Sequence, residues 1–238
     1  MMDPKKTGSV DYRHLDKSIN KLFPDKNATG LLCIDLENDS YDKLKGNNLT
    51  RYKPVSDKEY KKSADEFIKL IRYVKSKRPN VKVGVYGMPF KAYTRSEIRK
   101  GSNQLLDPIL SEVDVIFPSL YIPHTSKDQG LSFLKLNLET SLSYGERLNK
   151  PVIPFFWYLL FSTDKSSRYE MIPRKDMHDY IQYIENYEPT KGRKVAGIVW
   201  WDTPTQYNRK LIKQNLLKAE EKKVNWTMER QFQYYFDK

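Results

Sequence analysis

Apolar residues recur along this chain at two spacings, one helical and one of strand type. In residues 11–23 they fall at Tyr12, Leu15, Ile19 and Leu22, which predicts an amphipathic helix that ends at Pro24-Asp25-Lys26-Asn27. Ser56 and Glu59 form a capping box that opens a second helix, with its apolar stripe at Tyr60, Ala64, Phe67, Ile68, Ile71 and Val74 and its end before Pro79-Asn80. The polar stretch between these two regions, containing Gly46-Asn47-Asn48, reads as a loop. Further helical patterns cover part of 89–110 and then 129–148, 176–187 and 206–222. Short apolar runs lie at 30–37, 81–86, 113–121 (interrupted by Pro118), 151–157 and 195–201, which makes five expected strands.

Apolar strands that alternate with helices call for a parallel sheet covered by helices. No Gly-rich phosphate loop follows any of the runs, which removes the usual reason for a doubly wound nucleotide-binding sheet. The expected fold class is therefore α/β, a parallel (β/α) barrel of the TIM type, distorted or incomplete, with five strands visible. Residues 1–222 would form this domain, and the aromatic tail 223–238 would pack on it.

In such a barrel the C-terminal strand ends carry the chemistry. The first run ends in Asp35-Leu36-Glu37, and residues i and i+2 of a strand share a face, so Cys33, Asp35 and Glu37 point one way while Leu32, Ile34 and Leu36 point the other. Acids at a strand end either cap the next loop or act together on a substrate. The later strand ends carry rings at Tyr86, Tyr121, Trp157 and Trp201, which are either ordinary core or a surface for the C–H faces of sugars.

The formal net charge is +12, from 42 Lys and Arg against 30 Asp and Glu, and the charges are mixed along the helices rather than blocked into a tail. That mixing fits solvated helix faces, with an excess that favours an acidic partner. The single cysteine, Cys33, excludes an internal disulfide. His14, His124 and His178 are scattered without ligand spacing, so neither a metal nor another cofactor is expected. The start carries no apolar signal-peptide core, and no segment approaches the ~20 apolar residues of a membrane span.

Five pieces in order, Gly30-Leu31-Leu32-Cys33-Ile34-Asp35-Leu36-Glu37, Gly84-Val85-Tyr86-Gly87-Met88-Pro89, Phe117-Pro118-Ser119-Leu120-Tyr121, Pro151-Val152-Ile153-Pro154 and Ala196-Gly197-Ile198-Val199-Trp200-Trp201, resemble the hyaluronidase family of glycoside hydrolases over roughly residues 11–210. The resemblance implies a distorted (β/α) barrel that cleaves a β-linked N-acetylhexosamine in a polysaccharide. It implies Glu37 as general acid, Asp35 as the acid that orients the substrate acetamido group, and Tyr86, Tyr121 and Trp201 as the rings that line the sugar. Relative to that family, Asn38-Asp39-Ser40-Tyr41 replaces an aromatic and Arg-rich continuation, the disulfides are absent, and the first two barrel strands are missing. The chain accordingly reads as a fragment, with secretion expected if a leader lies upstream.

Two carboxylates on one strand end approach a sugar from the same side, so Asp35 is badly placed to attack opposite a leaving group protonated by Glu37. The substrate's acetamido oxygen is the alternative nucleophile. The rival readings are a chitinase-like or endo-N-acetylglucosaminidase enzyme, a non-catalytic barrel that binds glycan through the same rings, and a nucleic-acid protein. The last has only the net charge in its favour and no recognised motif.

Overall fold

The computed structural model describes residues 10–201 together with Tyr235 and Phe236. The described elements follow the order α1 (Tyr12–Leu22), β1 (Gly30–Ile34), α2 (Asp39–Asn48), α3 (Asp57–Lys77), β2 (Val81–Val85), α4 (Asp107–Leu110), α5 (Lys127–Leu148), β3 (Phe155–Trp157), α6 (Arg174–Asn186) and β4 (Val199–Trp201). The expected helix at 206–222 and most of the expected tail lie outside the described residues. The chain groups into two compact units, Met1–Ser119 with Thr140–Ile153, and Leu120–Glu139 with Pro154–Lys238.

In the first unit, β1 and β2 pair in parallel, with Gly30 opposite Val81 and Ile34 opposite Val85. Val81, Val83 and Val85 are buried, as are Leu32 and Ile34 on β1. Against β2 lies α3, which opens with the expected capping box: the Glu59 amide donates to Ser56 Oγ, and the Glu59 carboxylate accepts from the Ser56 amide. Its buried stripe is Tyr60, Ala64, Phe67, Leu70, Ile71 and Val74, so that Leu70 takes the place expected of Ile68, which is half-buried. Leu15 and Ile19 of α1 are buried as well, and the Asp11 carboxylate caps that helix by accepting from the His14 amide at 3.0 Å.

Residues 113–121 correct the expected third strand, because they pair only through isolated parallel bridges, Phe117 with Tyr86 and Ile116 with Val152. The reason is local. The Asp114 side chain accepts from the Val83 amide at 3.0 Å, while the Asp114 amide donates to the Val83 carbonyl at 2.7 Å, so a carboxylate stands where a ladder carbonyl belongs. Pro118 then removes a further donor.

The stretch following the acids is a second correction, since residues 39–48 form helix α2 rather than a loop. Asn38 caps it by accepting from the Tyr41 amide at 3.1 Å, and Tyr41 and Leu44 are buried beneath it.

In the second unit, β3 and β4 also pair in parallel, with Trp157 opposite Trp201. Both strands are shorter than the expected runs 151–157 and 195–201. Pro151 and Pro154 have no N–H to give, and the first bond of the pair runs from the Val199 amide to the Pro154 carbonyl at 2.8 Å. Met177, Tyr180 and Ile184 form the buried face of α6. Tyr235 is fully buried in this unit and donates to the Ile172 carbonyl at 3.0 Å.

Every strand pair is thus parallel, as an α/β chain requires, but the described strands form two two-stranded sheets and not a closed barrel. No helix among the described residues is long and apolar enough to cross a membrane.

Candidate active site

The expected alternation along β1 is present. Leu32, Ile34 and Leu36 are buried, Cys33 is half-buried, and Asp35 and Glu37 stand exposed just past the strand's end. Tyr86 arrives beside them because its amide donates to the Ile34 carbonyl at 2.9 Å, continuing the β1–β2 ladder by one residue. Its other edge is bridged to Phe117, and its hydroxyl donates to Ser119 Oγ at 3.1 Å. The backbone then turns at Gly87, whose φ of +71° is a left-handed conformation that favours glycine. A Cβ on Gly87 would collide with the hydroxyl of Tyr41, which donates to the Gly87 carbonyl at 3.4 Å.

Tyr41 is the floor of this cluster. It is buried against Phe67 and Phe90, with ring centroids 6.3 and 5.1 Å away. Burial, and then the charges of Glu37 and Asp35 with the Tyr86 phenol, drive its hydroxyl pKa far upward, so it stays protonated and able to donate.

Burial by surrounding protein raises the pKa of Asp35, although the carboxyl keeps one side open to water. Burial also raises that of Glu37, and the negative charge of Asp35 raises it further, while Lys45 and Lys91 pull it back. Glu37 therefore holds its proton to higher pH than an ordinary glutamate, which is what a general acid needs. Lys91 is pushed down to about 8, by burial first and by the charges of Arg51 and Lys45, against the stabilising charge of Glu37.

The structure thus brings Asp35, Glu37 and Tyr86 together within the first unit. Tyr121 and Trp201 belong to the second. There Tyr121 is buried against Trp157 at 5.5 Å and Phe161 at 6.2 Å. Trp201 ends β4, 37% exposed, with its ring 6.0 Å from Phe155. The Trp157 indole N–H is buried and has no hydrogen-bond partner among the described residues. No group of three or more His, Cys, Asp or Glu among the described residues could hold a metal ion.

No family model and no curated protein sequence matches the chain. Solved structures do. Bee venom hyaluronidase in a monoclinic crystal form superposes with a TM-score of 0.64 at 17% identity, over 84% of this chain and 74% of that one. Bee venom hyaluronidase in complex with a hyaluronic acid tetramer gives 0.63 at 18% identity, over 86% and 73%. The fold is remotely hyaluronidase-like.

Two residues of this hyaluronidase-like chain sit at the site without having been expected there. Tyr41 has a weak sequence trace, the helix-capping residue Asn38 followed by apolar residues at 41 and 44, which Gly46-Asn47-Asn48 obscures. Lys91 has none, because a lysine in a loop after a strand carries no pattern.

Proposed function

We propose that the chain is a glycoside hydrolase that cleaves a β-N-acetylhexosaminide bond in a hyaluronan-like polysaccharide, with Glu37 as general acid and base and Asp35 as the group that orients the acetamido arm. The observation that carries this reading is the pair of carboxyls on one strand face, with Asp35 raising the pKa of Glu37 beside the Tyr86 phenol. The hyaluronidase-like fold supports it, and the hyaluronic acid tetramer bound to one similar structure suggests the substrate class. Each unit has a parallel strand pair with flanking helices, the repeating element from which (β/α) barrels are made, and we read the fold in that way.

The reaction follows from the placement. Glu37 donates its proton to the glycosidic oxygen, and that C–O bond breaks. Asp35 lies on the same strand face and cannot reach the opposite side of the anomeric carbon, so the substrate's own acetamido oxygen forms the new bond there. Asp35 accepts from the acetamide N–H and stabilises the positive charge that develops on the ring formed. Glu37, now a carboxylate, takes a proton from water as that water opens the ring. In the second unit, Tyr121 and Trp201 are rings of the kind that cover sugar faces, and we assign them to binding the polymer.

Two displacements at one carbon retain its configuration. Proton NMR of the first product from a hyaluronan or chitin oligosaccharide should therefore show the β anomer, and an initial α anomer would sink the mechanism. A second expectation concerns pH. Because the acid must be protonated and its pKa is raised, kcat/KM should hold at pH values where an ordinary glutamate is already ionised and fall only above them. A pH–rate profile that falls across the ordinary glutamate range would contradict the role given to Glu37.

A further inference from the structure

The segment that carries the two acids is held at each of its ends. At the near end, the Ile34 carbonyl accepts from the Tyr86 amide at 2.9 Å. At the far end stands Asn38, whose side-chain oxygen accepts from the Tyr41 amide at 3.1 Å and whose side-chain N–H donates to Glu66 Oε1 at 3.0 Å. Glu66 Oε2 accepts from the Ser40 hydroxyl. Between these anchors, the backbone of Asp35, Leu36 and Glu37 makes no hydrogen bond among the described residues. Whatever fixes Asn38 therefore limits where the Glu37 carboxyl, one residue earlier, can go.

Glu66 is well placed to do so. It is half-buried on α3, beside the fully buried Phe67, so its backbone is fixed by that helix. Lys62 and Lys69 lie one turn away from it on either side, at spacings where helical ion pairs form. Glu66 is paired with neither among the described residues, and its two oxygens take two neutral donors from 38–40 instead. Both donors belong to Asn38-Asp39-Ser40-Tyr41, the stretch that replaces an aromatic and Arg-rich continuation, so the replacement comes with an anchor of its own. A hydrogen bond to an ionised acceptor is stronger than one between neutral groups, which suits a tether.

We infer that Glu66 is a positioning residue of the reaction: by holding the Asn38 amide and the Ser40 hydroxyl, it fixes the far end of the acid-bearing segment and keeps the Glu37 carboxyl in place for proton transfer to the glycosidic oxygen. The inference rests on the glycosidase reading and deepens it by adding a residue that acts through Glu37.

The test compares Glu66→Met and Glu66→Gln with the unaltered chain on a hyaluronan oligosaccharide, with kcat measured well below each thermal transition. Met is of similar length and lacks the two oxygens. Gln keeps both bonds, because its oxygen accepts from Asn38 and its amide donates to the Ser40 oxygen. Glu66→Met is expected to lower kcat about tenfold or more, with KM within about twofold, since misplacing a reacting group acts on the chemical step. Glu66→Gln should come within about threefold of the unaltered rate. Both variants remove the same charge, so equal losses would mean that Glu66 acts through its field and not its bonds, and would overturn the positioning role. An unchanged kcat in Glu66→Met, or a loss that lies wholly in KM, would overturn it as well. Should Glu66→Met not fold, Ser40→Ala removes one of the two bonds from the other side: a fall in kcat supports the tether, and no fall overturns it.

If the unaltered chain hydrolyses no oligosaccharide, the glycosidase reading fails by itself, and carbon-13 NMR of the carboxyl groups then decides whether Glu66 positions Glu37. The charges that act on Glu37, those of Asp35, Lys45, Lys91 and Asp42, are the same in both variants. Burial is the first cause of its raised pKa, so a Glu37 side chain released toward water in Glu66→Met should titrate at lower pH than in Glu66→Gln. Identical titration in the two variants would overturn the tether.

Discussion

Glu37→Gln is expected to lower kcat by about 10²–10⁴-fold, the usual contribution of a positioned general acid, while substrate binding survives. Gln is isosteric and can accept hydrogen bonds where the carboxylate did, but it has no proton of suitable acidity to give to the leaving oxygen. The same substitution should not destabilise the protein at neutral pH. A carboxyl whose pKa is raised by folding binds more protons in the native state than in the unfolded one, so stability falls as pH rises from the ordinary carboxylate range through the raised value. Above that window the unaltered chain carries the full penalty, and Gln removes it. Oligosaccharide hydrolysis and thermal denaturation at two pH values check both halves: below the window the variant should lose its advantage, and above it the variant should melt at the same temperature or higher. Hydrolysis at the unaltered rate would remove Glu37 from the reaction altogether.

The acids themselves could be read from sequence for a local reason. Alternation with buried Leu32, Ile34 and Leu36 fixes which way Asp35 and Glu37 face, and nothing remote is needed to see it. Helix α3 is nearly as legible, because capping box and terminating Pro79 agree and the stripe differs at one place, where Leu70 and not Ile68 is buried.

Helix α2 is illegible for the opposite reason. Its residues favour a turn, and beyond the Asn38 cap the helix is held by contacts outside itself: Gly46 lies so close to the Lys53 carbonyl that a Cβ would not fit, and the Asn48 side-chain amide donates to the Tyr60 hydroxyl at 3.3 Å. Missing α2 means missing Tyr41, so an error about one helix becomes an error about the site. Residues 113–121 fail differently. Their apolar character promises a strand, but hydrophobicity says nothing of where backbone hydrogen bonds go, and the Asp114 carboxylate diverts them.

Phe67→Ala should cost about 3–5 kcal/mol of unfolding free energy, as expected for deleting a large ring from a site that cannot collapse. Phe67 is fully buried on the inner face of α3, among Leu70, Ile71 and Val74 of the same helix, and its ring faces Tyr41 at 6.3 Å. The cavity left by alanine would open directly beneath the tyrosine whose hydroxyl meets Gly87, so the loss is expected to be functional as well as structural. Urea denaturation gives the first quantity, and kcat measured well below the transition gives the second, with Phe67→Leu as the variant that keeps most of the apolar volume. A drop in stability under about 1 kcal/mol would mean that α3 does not pack on β2 as described. A full drop in stability with unchanged kcat would instead free Tyr41 from any part in holding the acids, and leave the strand ladder from Ile34 to Tyr86 as the element that positions them.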